Sequence, residues 1–143
     1  MKLLRRSLEV IVGLIFLASG SSKLNSGFEF LHTVAAYDLV GWRSTIVVAA
    51  AMPWFELTLG SVLVVGLMPE AALCLAALLT SAFVVACVSA LHRNLSIPCG
   101  CFGSTELISA TTAVRSLVIF AMAVGALGLS LSDVRRESRI TRA

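Results

Sequence analysis

The chain has 143 residues, of which 58% are hydrophobic and only 13% charged, and its mean hydropathy is +0.96. Soluble domains carry about 25% charged residues, so there is too little polar surface here to cover a water-soluble fold, and an integral membrane protein is expected. The net charge of +3 lies at the two ends, in Lys2, Arg5 and Arg6 and in Arg135, Arg136, Arg139 and Arg142, and with no basic stripe between them no nucleic-acid partner is expected.

In chain order, four apolar segments stand out, at about 8–24, 44–68, 70–91 and 107–131. A spanning helix needs roughly 20 apolar residues. The last three meet that length, and the first does so if Leu3 and Leu4 extend it. "MKLLRR", an apolar run and "LASGSS" also fit a secretory signal peptide, with Ala18-Ser19-Gly20 as an A-x-A-like cleavage site. Four spans keep both basic ends cytoplasmic, and so do three after cleavage. Either way residues 25–43 and 92–106 face outward, and Met68-Pro69-Glu70 forms a tight inner turn between antiparallel helices. The expected fold is all-α: one domain over 1–143, an integral membrane four-helix bundle with cytoplasmic termini. In a bacterium that is a multi-pass protein of the cytoplasmic (inner) membrane, with the lipid bilayer as its first partner.

The first outer connection has structure of its own. In "GFEFLHTVAAYDLVGW", Phe28, Leu31, Ala35 and Leu39 recur at helical spacing, which predicts a short amphipathic helix lying on the outer interface. Phe28, Tyr37 and Trp42 suit an aromatic belt there.

Two charges fall inside apolar segments. Glu56 lies roughly 18 Å below the outer end of segment two, and Arg115 roughly 12 Å below the outer end of segment four. Opposite charges at such depth are best tolerated as a pair, so a Glu56–Arg115 contact is expected. It serves either to fix helix packing, as a proton relay, or as the polar wall of a pocket. Pro53 removes one helical hydrogen bond just before Glu56 and frees a carbonyl near residue 49. With Trp54 and Phe55 beside it, the kink could line a pocket for a flat ring such as a quinone, or could simply aid packing. Lys23, at the outer end of segment one, either turns inward or snorkels to the interface.

Of the four cysteines, Cys74 and Cys87 lie on one helix about 20 Å apart and cannot bridge each other. Both read as small packing residues, and Cys87 is near enough to the outer end to act as an auxiliary thiol. Cys99 and Cys101 differ, since "NLSIPCGCFGSTE" places them in an outward, oxidising compartment. Their i, i+2 spacing is within bridging range. So small a ring constrains the unfolded chain little and makes a poor staple. Strain makes it easy to reduce, and Gly100 and Pro98 permit the turn. These properties favour thiol–disulfide exchange. An inert pair, or a metal site with His92, remains the alternative, although zinc cysteines usually stand wider apart. His92 and Arg93 either favour a thiolate or anchor the interface.

Four stretches together resemble the methylamine-utilisation protein MauE family, related to the broader DoxX-like membrane proteins. They are "ASGSSKL", "YDLV", "MPWFELTLGSVLVVGL" and "CGCFG". The resemblance covers about Leu8 to Leu131 and favours an uncleaved first helix. Its matching positions here are Lys23, Tyr37, Pro53, Glu56, Gly60, Cys99, Gly100, Cys101, Phe102 and Gly103. It implies a four-helix membrane bundle with a role in protein maturation, as in processing of the disulfide-rich small subunit of methylamine dehydrogenase beside a thioredoxin-like partner.

The expected function is a membrane thiol–disulfide oxidoreductase component serving a periplasmic thioredoxin-like protein and its client, with Cys99 and Cys101 as the redox pair. Glu56, Arg115, Trp54 and Lys23 form the relay or pocket, Cys87 is an auxiliary thiol, no metal is expected, and a quinone is the candidate carrier. Two alternatives stand beside it. A non-enzymatic assembly factor would not need the cysteines, and a small transporter subunit would rest on Glu56 and Arg115 alone.

Overall fold

The computed structural model describes residues 2–37, 41–93 and 110–140. They form five helices: α1 (Lys2–Asn25), α2 (Gly27–Ala36), α3 (Trp42–Val65), α4 (Pro69–His92) and α5 (Ala110–Ile140). The described residues contain helices and turns only. Among them, three stretches are long and apolar enough to cross a membrane: Trp42–Val65, Pro69–His92 and Val114–Ser132.

The turn between α3 and α4 has a clear cause. Gly66 adopts a left-handed conformation (φ 84°), which glycine reaches without steric cost. The N–H groups of Gly66 and Leu67 then return to the Val62 carbonyl, at 2.9 and 3.1 Å, and close the helix. Segment two therefore ends at Val65, short of the expected Met68. Pro69 begins α4, where its missing N–H is one that the helix leaves unused.

Side-chain contacts fix the helix directions. Arg6 reaches Leu63 and Val64, Gly13 lies against Gly60, and Gly20 lies against Pro53, so α1 and α3 run antiparallel. Ser130 on α5 reaches Glu70 on α4, and Ser116 shares a cavity wall with Thr80, so α4 and α5 are antiparallel too. The α1–α3 contact is the most extensive and α4–α5 follows, whereas α3 and α4, neighbours in sequence, touch over a shorter stretch. Glycine makes the α1–α3 approach close. A Cβ on Gly60 would stand 2.7 Å from the Gly13 carbonyl oxygen and 3.0 Å from the Leu17 nitrogen. In lipid, where apolar surface alone does not drive helices together, such small-residue contacts let backbones pack. The core sets Val12, Phe16, Leu59, Leu63 and Leu73 against Ala72, Ala76, Ala123 and Ala126.

A polar cluster closes the bundle where α1 begins and α3 ends. The Arg6 guanidinium donates to the Leu63 and Val64 carbonyls at 3.1 and 2.5 Å. It thus caps the negative end of the α3 dipole. It also pairs with buried Glu9 at 3.2 Å. Arg5 contacts the other Glu9 oxygen at 3.2 Å and donates to the Ser130 hydroxyl, which itself donates to Glu70 at 2.8 Å.

Two expectations are corrected. The helix predicted in the first outer connection forms as α2; Phe30 and Thr33, with Tyr37 just beyond the helix, are its positions buried against the protein, while Phe28 is 82% exposed on another face. Leu39 lies outside the described residues. Tyr37, expected in an aromatic belt, is buried. Cys74, expected to fill the interior, is exposed on the outside of α4.

Candidate functional site

The ends of α1 and α3 are not level. With Gly20 set against Pro53, the antiparallel register carries α3 about 9 Å past the end of α1. α2 packs along that extension. Lys23, two residues from the end of α1, therefore meets α3 well inside its length.

There the Lys23 ammonium donates to Glu56 Oε1, and to the Ser19 hydroxyl at 2.9 Å. The Phe30 ring centroid lies 5.3 Å from the same nitrogen, within cation–π range. Lys23 is 4% and Glu56 6% exposed. The sequence placed Glu56 with Arg115 by assuming a common outer end for all helices. The ion pair it makes is with Lys23, because the offset between α1 and α3 brings that amine down to its level.

Arg115 shares the site as a wall rather than as that ion-pair partner. Ser19, Lys23, Glu56, Thr80, Arg115 and Ser116 line one small chamber of about 60 Å³ between α1, α3, α4 and α5. A water needs roughly 10–15 Å³ on this measure, so the chamber suits a few waters and is too small for a ring-bearing ligand. Glu56 Oε2 is buried and, among the described residues, has no hydrogen-bond partner. Ile15, Phe16, Met52, Leu79, Phe83 and Ile119 complete the wall, so two cations, three hydroxyls and one half-satisfied carboxylate form a polar patch on a mostly apolar lining. Such a group of donors and acceptors can exchange protons with water that enters.

The remaining candidates lie elsewhere. Trp54, 62% exposed, is on the outer flank of α3 and not on the chamber wall. It borders a larger cavity of about 390 Å³, whose wall also includes Lys23, Phe28 and Pro53. Cys87 is fully buried, with its Sγ 4.0 Å from the Tyr37 hydroxyl. Arg93 donates to the Tyr37 carbonyl at 2.9 Å and ties the end of α4 to the end of α2. Cys99 and Cys101 lie outside the described residues, in the connection from α4 to α5. Arg115 is five residues into α5, about 7–8 Å along it, so the chamber sits close to the end of the bundle where that connection joins. Among the described residues, no three of His, Cys, Asp and Glu gather as metal ligands would.

Sequence reasoning missed Ser19, Thr80 and Ser116, because hydroxyls in apolar helices usually bond their own backbone. Thr80 does so, donating to the Ala76 carbonyl at 2.7 Å. The buried Glu9 was also missed, although Arg5 and Arg6 one turn before it were a usable signal.

A model of the family described as methylamine utilisation protein MauE matches residues 1–129. The methylamine utilization protein MauE of Paracoccus denitrificans is 32% identical over 121 residues, covering 82% of this chain and 65% of that protein. The chain thus spans just under two thirds of that relative's length. No solved structure matches.

Proposed function

The chain belongs to the MauE family, and from that premise we propose that it is a membrane component of thiol–disulfide exchange that supports maturation of an extracytoplasmic protein. In this reading α1, α3, α4 and α5 all span the inner membrane of a bacterium, with both basic ends cytoplasmic. The polar Arg6–Glu9 cluster is then the inner end, and α2 lies at the outer interface. Cys99 and Cys101 face outward and exchange with a thioredoxin-like protein, which passes the disulfide to or from its client. One exchange moves two electrons and two protons between the Cys99/Cys101 pair and the partner's pair. The relative's name points to methylamine utilisation, so the small subunit of methylamine dehydrogenase is the first client to test.

The observation that carries the reading is the Cys99-Gly100-Cys101 spacing in the connection between α4 and α5. A ring that small stabilises little and reduces easily. The Lys23–Glu56–Arg115 chamber near the same end supports it, as a place to hold the two protons that the Cys99/Cys101 dithiol gives up when a two-electron carrier in the membrane oxidises it.

The test is trapping. In oxidising cells, both cysteines should be alkylated only after reduction, and Cys101→Ala should hold a partner in a mixed disulfide. Two cysteines that stay reduced and trap nothing would sink the reading. If Cys99→Ser with Cys101→Ser also leaves client maturation intact, the protein is an assembly factor instead.

A further inference from the structure

We infer that the cavity at the α1–α2–α3 corner binds a planar dicarbonyl ring carried on an apolar tail, a membrane quinone, with Lys23 as donor to a ring carbonyl. As the electron carrier of thiol exchange this rests on the reading above. As a binding site it rests on geometry alone.

The cavity measures about 390 Å³ and is lined by Lys23, Phe28, Leu31, Ile46, Pro53 and Trp54, among others. That volume lies in the range of about 300–1,000 Å³ typical of small-ligand sites. Phe28 and Trp54, 82% and 62% exposed, stand on its wall, and two aromatic faces suit a flat ring.

Polar groups are few and complementary. Among the described residues Lys23 is the one charged side chain on this wall, and it also lines the Glu56 chamber, so it is the partition between the two cavities. Two of its three N–H donors are used, on Glu56 and Ser19, and the Phe30 ring centroid lies 5.3 Å from the nitrogen. No oxygen takes the third N–H among the described residues, and a ring carbonyl is a stronger acceptor for it than an aromatic face. Ala49 and Pro53 are on the wall as well, and Pro53 has no N–H to return to the Ala49 carbonyl. The wall therefore offers a donor for a ring carbonyl and an acceptor for a ring hydroxyl, so it can hold the oxidised or the reduced ring.

Charge selects against the obvious competitor. Glu56 already neutralises Lys23, so the pair presents no net positive charge to the cavity, and an anionic lipid headgroup gains little there. A neutral ring meets hydrogen-bonding groups without desolvating a charge of its own.

The experiment uses the full chain in nanodiscs with a photoreactive short-chain ubiquinone analogue. Saturable labelling is expected, mapping to α2 and to residues 46–54 of α3. Unlabelled decylubiquinone should compete, and decanol, which has the tail length without the ring, should not. Phe28→Ala and Trp54→Ala remove exposed side chains and should each weaken binding about three- to tenfold with unfolding temperature unchanged. The double change Lys23→Met with Glu56→Leu, which leaves no buried charge unpaired, should weaken it further. Labelling spread over all lipid-facing helices, equal competition by decanol, or full binding by both aromatic variants would overturn the assignment. Cys99→Ser with Cys101→Ser should bind the probe normally. Binding without trapped disulfides would keep the site and remove the thiol reading, whereas trapped disulfides without binding would do the reverse.

Discussion

Lys23 on α1 and Glu56 on α3 form an ion pair more than nine-tenths buried, yet only one Glu56 oxygen is engaged by it. Removing one member leaves the other charge buried and unpaired, at about 3–5 kcal/mol. Lys23→Met alone and Glu56→Leu alone should therefore each lower the unfolding temperature sharply in detergent. The double variant should recover most of the loss. If the pair only fixed packing, the double variant would also keep client maturation, and the proposed proton role requires that maturation stay impaired.

The α1–α3 interface predicts a contrast among glycines. Gly60→Ala drives a methyl group into backbone atoms of α1, at Gly13 and Leu17, which cannot rotate away. A loss of about 1–3 kcal/mol or more is expected. Gly125→Ala on α5 meets nothing within 4 Å. It should be neutral or stabilise by about 0.5–1 kcal/mol through helix propensity. Thermal unfolding of the two variants side by side checks this, and equal effects would contradict the close approach.

Arg6 caps α3 through two carbonyls and also holds Glu9. Its side chain is partly exposed, so Arg6→Ala should cost only about 1–2 kcal/mol. Gly66→Ala should cost at least as much. It forces a side chain into φ 84°, and its Cβ would come within 2.5 Å of the Arg6 guanidinium. The two losses should be less than additive, because both displace the same cap. A double-mutant cycle on unfolding measures this.

The two described cysteines should differ in reactivity. Cys74 is exposed on α4, whereas Cys87 is fully buried beside Tyr37. A lipid-soluble maleimide should modify Cys74 in the folded protein and reach Cys87 only after denaturation. Tyr37→Ala should open Cys87 to the reagent. Rapid labelling of native Cys87 would show an opening motion at the α2–α4 contact, which an auxiliary thiol role requires.

Helix placement was largely legible in the sequence. Apolar length located α3, α4 and most of α5 to within a few residues, since a helix in lipid must satisfy its own backbone and only long apolar runs can do so. Glu56 was legible as a buried charge for the same reason, whereas the sequence leaves Lys23 open between the interior and the interface, and Arg115, expected inside the bundle, is exposed. Their pairing was not, because depth counted from one end assumes that all helices start level. Which stripe of α2 packs on the protein was not legible, because Phe28 and Leu31 are as apolar as Phe30 and periodicity alone does not say which stripe finds a partner.

The sequence by itself determined the all-helical architecture, the segments suited to lipid, the Cys99–Cys101 spacing and the family. Those follow from composition and local spacing, which the chain carries wherever it lies. Only the tertiary structure decided that Lys23 answers Glu56, that Arg115 and three hydroxyls share a chamber wall with the pair, and that Trp54 turns to a separate cavity sharing Lys23 as its wall. Those depend on how far α1 slides along α3. That offset is set by glycine-to-backbone contacts, which no single segment contains.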